Sequence, residues 1–109
     1  MSIKFFDNPL TENEEKMLLI SIIGTLETLK RKSISINEAE KYLFSPNMVS
    51  KLRKNGCSSK IIDILEKGCE LEDIASLIPK SLLKNINELQ EQALQIMSEY
   101  QIYDKNFWT

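Results

Sequence analysis

The chain has 109 residues, of which 42% are hydrophobic and 28% charged, with a formal net charge of −2 and no histidine. That length gives one domain, 1–109, with one core and no room for a separate catalytic domain, and sixteen acids against fourteen bases favour neither a nucleic-acid nor a strongly cationic partner. The missing histidine removes the commonest neutral-pH general base and the commonest zinc ligand, so serine–histidine and cysteine–histidine nucleophile systems are excluded.

Residues 1–9 read as an arm, in which Phe5 and Phe6 tuck against the body. Thr11 then fits an N-cap with Glu14 three positions on, a capping box, and Glu12 and Glu15 suit the positive end of a helix dipole. This first helix is expected over about 11–32. Its apolar residues, Met17 to Ile20, Ile22, Ile23, Leu26 and Leu29, make more than one stripe, which predicts a central, well-surrounded element. Ser21, Gly24, Thr25 and Thr28 add a run of small residues. Gly24 costs about 1 kcal/mol in a helix interior, and close approach by a neighbouring helix is the expected return.

Ser35 or Asn37 caps a short helix over about 36–44, with Asn37 and Glu40 forming a second capping box and Ala39, Tyr42 and Leu43 facing inward. Ser45-Pro46 restarts the chain, with serine as cap and proline in the first turn. Met48, Val49 and Leu52 point inward, and Asn55-Gly56 ends that helix in a left-handed conformation. Ser58 or Ser59 caps the next helix, which Gly68 stops. Leu71, Ile74, Ala75, Leu77 and Ile78 mark another short helix, ended by Pro79. The last helix, about 81–100, has the cleanest period: Leu82 or Leu83, Ile86, Leu89, Ala93, Ile96 or Met97, and Tyr100. Its other face carries Lys84, Glu88, Gln92, Gln95 and Glu99. The fold class is therefore all-α, a compact bundle of two long helices with three or four short ones between them.

No apolar stretch approaches the roughly 20 residues that span a bilayer, and the first residues lack a secretory pattern. A cytoplasmic location and no membrane partner are expected. Cys57 and Cys69 are too few for a disulfide framework and read as free thiols in a reducing compartment. Glu70, Glu72 and Asp73 form the densest acidic cluster. No calcium-loop spacing surrounds them, and helix-start electrostatics accounts for all three, with residues 70 and 73 able to share a helix face and 72 pointing elsewhere. Gly24, Gly56 and Gly68 are too scattered for a phosphate loop. No catalytic residue, metal or cofactor is expected.

Two binding classes remain. A helix ending in Lys51-Leu52-Arg53-Lys54, a turn at Asn55-Gly56-Cys57 and a helix from Ser58 have helix-turn-helix lengths. The exposed positions of that second helix, Lys60, Asp63, Glu66 and Lys67, sum to zero charge, which suits DNA poorly. Protein binding is the stronger expectation. Tyr103, Phe107 and Trp108, with Tyr100, crowd aromatic surface near the C-terminus, where residues 104–109 read as a tail that folds back or anchors a partner. Glu70, Glu72 and Asp73, with Glu88, Glu91 and Glu99, would steer a basic partner. The one-sided helix 81–100 can pair with helix one or with a second copy of the chain.

The run Gly68-Cys69-Glu70-Leu71-Glu72-Asp73-Ile74-Ala75-Ser76-Leu77-Ile78-Pro79, followed by a long amphipathic helix, resembles a pattern in small all-helical bacterial proteins of uncharacterised function. It is also similar to immunity proteins that accompany secreted or contact-delivered toxins. The likeness covers about 55–97. It implies a protein that blocks a basic toxin domain by surface complementarity and performs no reaction, with no contact residue transferable.

Overall fold

The computed structural model describes residues 10–100, which are helical with short connections. The arm 1–9, Tyr103 and the tail 104–109 with Phe107 and Trp108 lie outside the described residues. In chain order the elements are α1 (Glu12–Lys30), α2 (Ile36–Tyr42), α3 (Pro46–Lys54), α4 (Ser59–Cys69), α5 (Leu71–Leu77), a 3-10 turn (Pro79–Ser81) and α6 (Leu82–Met97). The two longest helices, of 19 and 16 residues, are shorter at their ends than the expected 11–32 and 81–100. They pack most extensively on each other, and α6 also covers α4 and α5.

Local chemistry explains most boundaries. The Thr11 hydroxyl accepts the Glu14 N–H at 3.2 Å while the Glu14 carboxylate accepts the Thr11 N–H at 3.0 Å, satisfying two orphan donors at the start of α1. The same reciprocal pair forms between Ser35 and Glu38 at the start of α2. The Asn37–Glu40 box expected from the sequence is displaced by this earlier one, and Glu40 takes no part in capping α2. Ser45 and Ser58 cap α3 and α4. Two helices end in paired Schellman bonds. In α3 the left-handed residue is Gly56, φ 77°, with Cys57 N–H bonded to Leu52 and Gly56 N–H to Arg53. In α1 it is Lys32, φ 62°, with Ser33 N–H bonded to Thr28 and Lys32 N–H to Leu29.

The core corrects several expectations. Leu18, Leu19, Ile22, Leu26 and Leu29 of α1 are buried on one side, but Ile20 is exposed and nothing lies within 4 Å of a side chain placed at Gly24. The expected close approach of a neighbouring helix at Gly24 is therefore absent among the described residues. The close approach occurs at Gly68, where a Cβ would stand 2.5 Å from the Phe44 ring. α4 runs through Gly68 to Cys69, because this glycine makes room for a fully buried phenylalanine and does not stop the helix. Phe44 takes the inward role expected of Tyr42, which is exposed. In α5 only Leu71 is buried, and Leu77 and Ile78 stand in solvent.

Polar ties fix the ends of the bundle. The Gln90 amide, buried in the apolar stripe of α6, donates to the Glu27 carboxylate at 2.9 Å. Arg31 and Lys30 add ion pairs to the same carboxylate at 2.7 and 3.2 Å. The Gln90 bond, then those of Arg31 and Lys30, lower the Glu27 pKa to about 2. At the other end of α1, Glu15 accepts the Ser58 N–H at 2.6 Å and the Tyr100 hydroxyl at 2.9 Å. It thereby joins three segments far apart in sequence.

Candidate functional site

The acidic residues singled out in the sequence sit where α4 passes into α5. Glu70 caps the C-terminus of α4 and precedes α5 without making a side-chain cap bond. Its carboxylate therefore faces outward. α2 packs against α5, and the capping register that begins at Ser35 brings Glu40 across to Glu72. The Glu40 carboxyl lies near the Glu72 carboxyl, and Asp73 adds to the negative potential. The Glu40 pKa rises as a result, with Glu72 the largest cause and partial burial the next. Glu72 and Asp73 are both exposed at the start of α5, and both act on Glu40 of α2.

One further carboxylate, Glu66, completes this seam. Glu40, Glu66 and Glu70 surround Cys69 closely enough to raise its thiol pKa beyond the effect of burial, which is the largest cause. Glu66 is compensated by Arg53, at 3.2 Å. Among the described residues, Glu40, Glu70, Glu72 and Asp73 form no ion pair with any Lys or Arg. Five carboxylates from three helices thus share this region, with Arg53 paired to Glu66 and Lys67 beside Glu70. Glu40 and Glu66 escaped the sequence reading because neither belongs to the 70–73 cluster in the chain. The signal for Glu66 was present: it lies one helical turn before Glu70.

The chemistry open to this surface is narrow. Among the described residues no three His, Cys, Asp or Glu side chains are grouped to hold a metal ion. Both cysteines are free. Cys69 is the last residue of α4, at the negative end of that helix's dipole. Burial, and after it Glu15, pushes the Cys57 thiol up to about 12, so little of it is thiolate at neutral pH. At the α3–α4 pair, Arg53 is bound to Glu66, Lys60 to Glu99 at 3.1 Å and Lys67 to Asp63 at 3.1 Å.

A second surface has no counterpart in the sequence reading. The end of α1, the connection 31–35 and the start of α6 enclose an open groove of about 790 Å³. Its apolar lining includes Leu29, Ile34, Ile36, Pro79, Leu82 and Leu83. Leu83 is 54% exposed, and Leu77 and Ile78, just before Pro79, are 79% and 56% exposed. Among the described residues no helix is long and apolar enough to cross a membrane.

Residues 11–109 match the family described as Protein of unknown function (DUF3969). The chain belongs to that family, and the match extends well beyond the 55–97 region that carried the resemblance. No curated protein and no solved structure matches the chain.

Proposed function

We propose that this member of the DUF3969 family is a non-enzymatic protein-binding domain whose α2–α5 acidic seam receives basic side chains of a partner. The observation that carries the reading is the contact between Glu40 and Glu72. Glu72, and more weakly Asp73, act on Glu40 from another helix strongly enough to raise its pKa, and among the described residues none of the three pairs with a Lys or Arg. Such a like-charge contact costs stability at neutral pH and is relieved when a Lys or Arg enters between the two groups. A partner's cation therefore gains more here than at an isolated surface carboxylate.

The sharpest form of this function is an immunity-type inhibitor that covers the basic cleft of a toxin domain. The acidic seam supports that form by charge complementarity, and Glu70, Glu72 and Asp73 are joined in it by Glu40 and Glu66. Tyr103, Phe107 and Trp108 are proposed as apolar anchors of the same kind of interface. The test is affinity capture from the native cell with the wild-type chain beside an E40Q/E72Q/D73N variant. A basic protein retained by the wild type, lost by the variant and released by salt supports the function. Equal capture by both chains, or retention of nucleic acid alone, refutes it.

A further inference from the structure

We infer that the chain pairs with a second copy of itself through the outward strip of α1, the two helices lying antiparallel with each Ile20 seated over the other's Gly24. A surface helix ordinarily turns charged side chains to water. α1 carries no charge over residues 17–26, and within that stretch Ile20 and Gly24 are exposed while Met17 and Ser21 are half-buried. Nothing lies within 4 Å of a side chain placed at Gly24. A projecting aliphatic side chain and an open gap thus stand one helical turn apart on the same strip. The hydroxyls of Ser21, Thr25 and Thr28 already donate to carbonyls within α1, so covering the strip strands no donor. More apolar surface borders it. Tyr42, 48% exposed, lines a groove with Ser21, Gly24, Thr25 and Thr28. On the other side the Gln90–Glu27 and Tyr100–Glu15 hydrogen bonds set α6 antiparallel to α1. Leu94, one turn beyond Gln90 and 48% exposed, therefore stands level with the middle of α1.

Shape and charge both select a second copy as the occupant. A two-fold axis passing between Ile20 and Gly24 brings the projection of each copy to the gap of the other, which is the self-complementarity an isologous pair requires. Glycine, with no Cβ, allows the close backbone approach at that crossing. The ends of α1 carry opposite charge. Glu12, Glu14, Glu15 and Lys16 sum to −2, and Glu27, Lys30, Arg31 and Lys32 sum to +2. Glu38, which lines the groove beside Tyr42, lowers the second end to +1 without changing its sign. An antiparallel pair sets each end against its opposite, and the helix dipoles oppose in the same sense. A parallel pair would set like charge against like. One helix face buries less than the roughly 800 Å² per partner of a standard interface, so the pairing is weak.

Sedimentation equilibrium of the full chain from about 1 to 500 µM should show a reversible monomer–dimer equilibrium, monomeric at the low end. Ile20→Lys and Gly24→Leu should each weaken the dimer about tenfold or more. Both positions are exposed in the monomer, and circular dichroism should show each variant as helical as the wild type. Lys16→Glu should tighten the dimer and Arg31→Glu loosen it, both effects shrinking as salt is raised. A parallel pair would respond to Lys16→Glu with the opposite sign. E40Q/E72Q/D73N should dimerise like the wild type, which keeps this test separate from the partner-binding role of the acidic seam. The inference is overturned if the chain stays monomeric over the whole range, whether another segment or another protein covers the strip. It is equally overturned if the dimer survives Ile20→Lys or Gly24→Leu, if Lys16→Glu weakens it, or if E40Q/E72Q/D73N abolishes it.

Discussion

The same substitution at two glycines should change stability in opposite directions. Gly24 lies inside α1 with nothing within 4 Å of an added Cβ, so Gly24→Ala gains the helix propensity difference of about 1 kcal/mol with no steric cost. Gly68 lies inside α4, and its added Cβ would meet three Phe44 ring atoms at 2.5, 2.8 and 2.9 Å. Carbon atoms pack at about 3.5–4 Å, so the ring must retreat by roughly 1 Å. Phe44 is 1% exposed and has nowhere to go. Overpacking of this kind costs about 1–3 kcal/mol, which outweighs the propensity gain in most of that range. Thermal unfolding followed by circular dichroism should place Gly24→Ala about 4 °C above the wild type and Gly68→Ala several degrees below it. A Phe44→Leu background should remove much of the Gly68→Ala penalty, a coupling that a double-mutant cycle measures. If Gly68→Ala were as stabilising as Gly24→Ala, the Phe44–Gly68 contact would be wrong. The placement of α2 that brings Glu40 to Glu72 would then lose its main support.

Three further outcomes can be checked. Glu40 has a raised pKa in the folded state, so its favourable contribution is present below the ordinary carboxylate range and lost as pH rises through the folded value. Glu40→Gln should accordingly raise the melting temperature at pH 7 and have little effect near pH 4. Glu27 has the opposite sign. Its pKa of about 2 means that its contribution is complete above the ordinary carboxylate value and lost as pH falls toward 2, and an NMR titration of its side-chain carboxyl should show that midpoint. Glu15→Ala removes the acceptor of two hydrogen bonds from Ser58 and Tyr100. Urea unfolding should show a loss of about 2–3 kcal/mol, and Tyr100→Phe a loss of about 1 kcal/mol.

What the chain reveals without its structure is what depends on neighbours in sequence. The Thr11–Glu14 box, the Ser45-Pro46 start and the left-handed Gly56 all form from residues within one turn of each other, and each is where local chemistry puts it. The start of α2 was ambiguous for the same reason: Ser35–Glu38 and Asn37–Glu40 are both competent boxes, and two residues separate them. The roles of Gly24 and Gly68 were exchanged because propensity gives the cost of a helical glycine but not its neighbour. Phe44, 24 positions away, supplies that neighbour for Gly68. Of the acidic seam, Glu70, Glu72 and Asp73 were legible as a cluster, whereas Glu40 arrives from another helix. The apolar groove was not legible at all, since it is assembled from α1, the connection after it and α6. Leu77 and Ile78 continue an apolar pattern that reads as buried, and the short α5 leaves them uncovered.

The central claim, that the molecule acts by binding protein through its α2–α5 carboxylates, is tested most directly by affinity capture with quantitative mass spectrometry. The wild-type chain and E40Q/E72Q/D73N should be compared at low salt and at about 0.5 M salt. The account predicts a basic protein that is enriched on the wild type at low salt, depleted on the variant and released by salt. It is contradicted if no protein is enriched over an unrelated acidic control, or if the enriched protein binds the variant equally well.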